Sequence, residues 1–292
     1  MTNKFEGTGV ALITPFKEDL SVDFDALSKL VDYNIENGTN YLVVSGTTGE
    51  SATISREEKK AILDAVVKTN NKRVPIVLGI GGNNTASVIE EITSADLSDV
   101  DALLSVSPYY SKPTQEGIYQ HFKAVSQASP KPIILYNVPG RTASNMLPET
   151  TLRLARDFEN IIAVKEAGNN VQQYLELIRN KPEGFSIISG DDDLALGVVL
   201  AGGAGVISVI GQAFPKEFAN MIQLGLNRDV DEAYKLHFKL MDIMGHIFSE
   251  NNPAGIKAVL AQKDLCKPDV RLPLVQASNT LKKQIADYIK SF

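Results

Sequence analysis

The stretch IIAVKEAGNN, Ile161 to Asn170, runs four apolar residues straight into a lysine. An uninterrupted run of this kind reads as a strand buried on both faces, as found in parallel sheets covered by helices. Lysine is among the residues least often fully buried. Lys165 therefore has two readings. It stands just past the strand end and reaches solvent along its aliphatic stem, or it is an amine kept from water and available as a nucleophile. The first is the ordinary outcome for an isolated lysine, so the choice rests on the rest of the chain.

Runs of the same kind recur roughly every 25 to 35 residues, which suggests repeated strand–helix units. They are GVALITPF (9–16), YLVVSG (41–46), VPIVLGIG (74–81), ALLSVSPY (102–109), PIILYNVP (132–139), IIAVKEA (161–167), FSIISGD (185–191) and GVISVIG (205–211). Amphipathic stretches lie between them. DFDALSKLVDYNIENG (23–38) carries Phe24, Leu27, Leu30, Val31 and Ile35 at helical spacing and ends in Gly38. ISREEKKAILDAVVKT (54–69) opens with Ser55 and has Glu58 three residues on, a capping box. Eight strands alternating with helices in a chain of 292 residues predict an α/β fold, a closed (β/α)8 TIM barrel. A doubly wound open sheet is the runner-up, but it normally shows a glycine fingerprint after its first strand, and GTGVALITPF is followed by none. From about residue 225 the strands stop and three helices are predicted. The expected division is thus a catalytic barrel over 1–224 and a C-terminal helical appendage over 225–292.

Composition bounds the function. The chain is 43% hydrophobic with a net charge of −6, which argues against nucleic acid or an anionic membrane as main partners. The single cysteine, Cys266, allows no internal disulfide and fits a reducing, cytoplasmic compartment. The opening MTNKFEGTG has no apolar signal core. Leu194 to Gly211 runs 18 residues without a charge and so imitates a membrane span, but its AGGAG centre predicts a helix, a glycine turn and a strand instead.

Catalytic groups of a barrel project from the C-terminal ends of its strands. That rule selects Thr14, the loop Gly46-Thr47-Thr48-Gly49-Glu50, Tyr109-Tyr110, Tyr136, Arg141, Lys165-Glu166 and Gly190-Asp191. Lys165 is the only lysine at the end of a predicted strand, and inside the rim of a barrel it cannot easily reach solvent. An amine there suits imine formation with a carbonyl substrate. The SGTTGE loop is a turn with a helix cap or, through its N–H groups and hydroxyls, a carboxylate cradle. Tyr136 is core with its hydroxyl tied down, or, one strand from Lys165, an acid and base to an imine. Arg141 over the barrel mouth offers a guanidinium fork for a carboxylate. Tyr109 and Tyr110 form a stacking surface or an interface. His121, His237 and His246 all fall in predicted helices without metal-ligand spacing, so no metal site is expected. Asp191-Asp192-Asp193 reads as the charged start of a helix.

Taken together, GTTGE (46–50), SPYYSKPTQEGIYQHF (107–122), LYNVPGRT (135–142), VKEA (164–167), SGDD (189–192) and GGAGVISV (202–209) resemble the dihydrodipicolinate synthases, within the superfamily of Schiff-base aldolases. The resemblance covers essentially the whole chain. It implies that Lys165 forms the Schiff base with pyruvate, that Tyr136 donates and accepts protons, and that Thr47 and Tyr110 complete a proton relay. It implies that Thr48 and Ile207 hold pyruvate, with Gly190 in the substrate-binding set, and that Arg141 binds the carboxylate of L-aspartate 4-semialdehyde. The product implied is 4-hydroxy-tetrahydrodipicolinate, on the path to diaminopimelate and lysine. No metal or organic cofactor is implied. In the family Tyr110 reaches into a neighbouring subunit's site, which implies at least a homodimer and is compatible with a homotetramer. The alternative from the same superfamily is a retro-aldol lyase of a sialic acid or keto-deoxy sugar acid, which shares the lysine and tyrosine. Lysine-sensitive relatives bind L-lysine near the GTTGE loop. Ser51, Ala52, Asn83 and Tyr109 match them, whereas Lys59 and Ser87 stand where sensitive bacterial relatives tend to carry histidine and glutamate. Weak or absent inhibition by L-lysine is the resulting expectation.

Overall fold

The computed structural model describes residues 4–292. Eight strands, β1 (Gly7–Ala11), β2 (Tyr41–Val44), β3 (Ile76–Gly79), β4 (Ala102–Val106), β5 (Ile133–Asn137), β6 (Ile161–Glu166), β7 (Ser186–Ser189) and β8 (Gly205–Ser208), close into a barrel in sequence order. Every neighbouring pair is parallel. The strands are shorter than the apolar runs that announce them. The surplus residues turn out of the ladder at the C-terminal ends and form the loops of the mouth. The β8–β1 seam closes through two glycines: Gly205 has φ +147, and a Cβ there would lie 2.0 Å from the Gly7 carbonyl oxygen.

Side chains alternate across each strand, and both faces are apolar for different reasons. Val10, Leu42, Ile76, Leu103, Leu135, Val164 and Ile187 face outward into the layer shared with the helices. Ala11, Val43, Val77, Leu104, Ile134, Ala163, Ile188 and Ile207 fill the barrel. Each such fully buried Val, Leu or Ile is worth about 1.5 to 3 kcal/mol relative to exposure. The same alternation answers the question posed by Lys165. It shares parity with Ala163 and so points into the barrel, while Glu166 shares parity with Val164 and points out.

The helices begin where their caps are. Asp23 caps helix Phe24–Glu36, and Ser55 with Glu58 forms the expected capping box on helix Arg56–Asn70. Leu194 to Gly211 resolves into helix Ala195–Ala201, Gly202 at φ +113 and β8. Among the described residues no helix is long and apolar enough to cross a membrane. After helix Pro215–Leu226 come the three C-terminal helices Val230–Ser249, Ala254–Gln262 and Asn279–Ser291. They are more than an appendage, because Met241, Met244, Phe248, Asn251 and Asn252 reach the barrel mouth.

Candidate active site

A cavity of about 680 Å³ opens at the C-terminal ends of the strands. Six of the eight residues to which the family resemblance assigns a role line it: Thr47, Thr48, Tyr136, Arg141, Lys165 and Gly190. Tyr136 of β5 and Lys165 of β6 are register partners on adjacent strands. Lys165 is 5% exposed and Tyr136 7%, and the Lys165 Nζ lies 4.5 Å from the Tyr136 ring centroid. Among the described residues, neither the Tyr136 nor the Thr47 hydroxyl has a hydrogen-bond partner, so both are open to a ligand.

Gly190 is required for space. A Cβ there would sit 3.0 Å from the Lys165 Cε and 2.5 Å from the Ala167 Cβ. Its N–H also donates to the Glu166 carbonyl at 2.6 Å, which holds β7 against the lysine's own strand. Ile207 does not reach the cavity wall. It is buried in the barrel with Tyr136 and Ile188, and Val209 takes the wall position. Tyr110 is not brought to this cavity at all. It is 88% exposed at φ +70, inside a three-residue turn closed by the Ser111 N–H on the Tyr109 carbonyl. A side chain of that size in left-handed backbone is strained, and such strain clusters at functional sites.

Two features of the mouth carry no signal in the sequence. Asn252 donates from Nδ2 to the Thr48 Oγ1 at 2.9 Å, and its carbonyl accepts from the Arg141 Nη2 at 3.3 Å. One C-terminal residue thereby touches two of the expected binding groups. The second feature corrects the reading of Asp191-Asp192-Asp193 as a helix start. Asp191 accepts from the Asn169 N–H and the Tyr174 hydroxyl, and buried Asp192 accepts from the N–H groups of Val209 and Ile210. These carboxylates brace the loops after β6, β7 and β8. Burial pushes the Asp192 carboxyl up to about 6 despite those bonds, and burial raises Asp191 as well. Among the described residues no group of three or more His, Cys, Asp or Glu side chains is arranged to hold a metal ion.

Behind Lys165, buried Glu166 enters a cluster of amides, of which Asn137 and Gln173 are buried and Asn145 is half-buried. Its carboxylate accepts from Asn137 Nδ2 at 2.9 Å and from Gln173 Nε2 at 2.9 Å, and Asn145 links both amides. Asn137 and Glu166 are register partners one step along from Tyr136 and Lys165, so the cluster ties the two strands just beyond them. Burial outweighs the donors and pushes the Glu166 carboxyl up to about 7 from 4.5. A group whose pKa rises on folding contributes stability below its unfolded value and loses it as pH rises through the folded value. The window is therefore pH 4.5 to 7, and the shift corresponds to on the order of 3 kcal/mol. Urea unfolding should show Glu166→Gln losing less stability than the parent between pH 5 and pH 8. Parallel losses in the two proteins would remove Glu166 from the account.

A (β/α)8 barrel with a buried lysine facing a tyrosine at its mouth defines the class of Schiff-base aldolase-type lyases. The family model for the dihydrodipicolinate synthetase family matches residues 4–292. The chain belongs to that family. It is 57% identical to the 4-hydroxy-tetrahydrodipicolinate synthase of Flavobacterium psychrophilum, over 98% of both chains. It is 51% identical to that of Parabacteroides distasonis, over 98% of this chain and 96% of the other. Among solved structures, the chloride-inhibited dihydrodipicolinate synthase from Acinetobacter baumannii complexed with pyruvate superposes with a TM-score of 0.95 at 38% identity, over 98% of both chains.

Proposed function

We propose that the chain condenses pyruvate with L-aspartate 4-semialdehyde through a Schiff base on Lys165, giving 4-hydroxy-tetrahydrodipicolinate. The observation that carries the reading is Lys165, buried inside the barrel mouth with the free hydroxyl of Tyr136 on the adjacent strand. The experiment is mass analysis after borohydride reduction with pyruvate, which should add one reduced pyruvyl group on Lys165.

The chemistry follows from the groups. The Lys165 amine adds to the pyruvate ketone, and loss of water leaves an iminium. The iminium draws electrons, so a methyl proton leaves and an enamine forms. Tyr136 is the group within reach to carry these protons, and Thr47 lines the same cavity. The enamine carbon forms a bond to the aldehyde carbon of the second substrate, and the aldehyde oxygen takes up a proton. The amino group of that substrate then adds to the imine carbon and expels Lys165, closing the ring. Thr48 and the loop N–H groups suit the pyruvate carboxylate, and Gly190 leaves the room in which the adduct stands. Val209 supplies the apolar wall, and Ile207 backs Tyr136 from within the barrel.

Arg141 is the reading's handle on the second substrate. It is exposed at the rim, where a guanidinium meets a carboxylate before it enters. Arg141→Ala should leave pyruvate trapping on Lys165 intact while kcat/KM for the aldehyde falls roughly tenfold to a hundredfold, the worth of a charge-assisted bond. Normal condensation by that variant would favour a sugar-acid lyase, a reading that the named relatives otherwise count against.

Residues 1–224 are, in this reading, the catalytic barrel domain and 225–292 a helical domain that walls its mouth. The strained, solvent-facing Tyr110 supports at least a homodimer in which it enters the other copy's site. A biosynthetic role for free amino acid also suits a cytoplasmic enzyme. Inhibition by L-lysine should be weak. Lys59 pairs with Glu91 at 3.1 Å, so its repulsion of a dibasic ligand is largely offset, and the expectation rests on the carboxylate missing at Ser87. Initial rates against lysine concentration check this. Half-inhibition below about 1 mM, some 4 kcal/mol of binding, would show that another group replaces it.

A further inference from the structure

The GTTGE loop that carries Thr47 and Thr48 ends in Glu50, and Glu50 does not face the cavity. Its φ is +56, in the left-handed region uncommon for such a residue. The Gly49 and Glu50 N–H groups donate to the carbonyls of Gly46 and Thr47, both at 3.1 Å, and coil the loop tightly. The Glu50 carboxylate then crosses to the C-terminal helices. Oε1 lies 2.6 Å from the Lys257 Nζ, and Oε2 accepts from the Arg271 N–H at 3.0 Å. Lys257 makes a second bond to the Asp269 carbonyl at 2.7 Å, and its ammonium stands 4.1 Å from the centre of the Phe16 ring. The two side chains are 1% and 0% exposed.

Withdrawing two ions from water costs several kcal/mol each, and a well-packed apolar pair is often as stable or more so. The best-attested use of such a pair is to specify one arrangement over others. Here the arrangement specified is that of the active-site loop, because the pair grips the residue that follows Thr47-Thr48-Gly49. Two further bonds brace the same loop: Thr48 to Asn252, and the Thr14 hydroxyl to the Gly49 carbonyl at 2.7 Å. We infer that Glu50 and Lys257 are positioning residues for the pyruvate end of the site, fixing the loop backbone against the C-terminal helices and so the places of Thr47 and Thr48. The inference rests on the proposed roles of those threonines.

The test separates stability from positioning. Lys257→Met alone strands a buried carboxylate and should lower the melting temperature. The charge-free double variant Glu50→Gln, Lys257→Met should recover it. KM for pyruvate should nonetheless stay about tenfold or more above the parent value and kcat below it, while KM for the aldehyde changes little, since Arg141 lies on another loop. Hydrogen exchange at the amides of Gly49 and Glu50 should quicken about tenfold or more, without substrate present. Glu50→Asp, which keeps the charge but draws it back by one methylene, is the milder variant and should show the same split. Parental pyruvate kinetics and exchange in a folded double variant would overturn the inference. A double variant that fails to fold, beside a Glu50→Asp protein of parental KM, would do the same, because the pair would then serve the fold alone. Failure of the unaltered protein to trap pyruvate on Lys165 would instead refute the proposed function, leaving the exchange rates to decide this point.

Discussion

Lys165→Met should take up no pyruvyl group on borohydride reduction and should lose at least about a thousandfold in turnover, because the covalent electron sink is removed rather than weakened. A thousandfold is about 4 kcal/mol of barrier. The fold should be untouched. Methionine matches the length of the lysine stem, and the side chain it replaces is 5% exposed, so it packs in the same buried site. A melting curve at or above the parent's, with activity gone, separates chemistry from folding. Retained turnover, or pyruvate trapped on another lysine while Lys165 stays free, would sink the mechanism. The other buried lysine among the described residues, Lys257, is the informative control. It is spent on Glu50 and should remain unmodified.

Tyr136→Phe is the second large effect. The substitution removes one oxygen and keeps the ring that lies over the Lys165 Nζ. Since no described protein group bonds to the hydroxyl, its loss strands no buried donor or acceptor and should cost little stability. General acid–base catalysis is worth about 10² to 10⁴-fold, so kcat should fall by that much while KM for pyruvate changes little. Borohydride should still trap the adduct, more slowly. A kcat within threefold of the parent would hand the proton traffic to Thr47 or to water.

The fold was legible because a parallel barrel buries both faces of every strand, so each strand is written as an unbroken apolar run. What the runs did not show was where each strand stops. Hydrogen bonding ends before hydrophobicity does, as in 9–16 against Gly7–Ala11, because the mouth loops are themselves partly buried. The lysine was legible for a related reason. A charge at the end of an apolar run needs an explanation, and period-two alternation assigns it a side once the strand is known.

The remainder depends on residues far apart in the chain. Asn252 sits 204 residues from Thr48, and Lys257 sits 207 from Glu50. In the sequence Lys257 is one polar residue in an apolar helix, and its natural reading is a stem reaching solvent. Only the packing of helix Ala254–Gln262 against the GTTGE loop removes that route and supplies a carboxylate. Glu166 likewise reads as the polar end of a strand until Asn137 and Gln173 close around it. Local periodicity was enough to mark which segments are strands and where Lys165 stands, at the end of one of them. Which charges are paired away from water, and which walls close the mouth, came from the packing of distant segments. Desolvation and partner distance exist only once the chain has brought its two ends together.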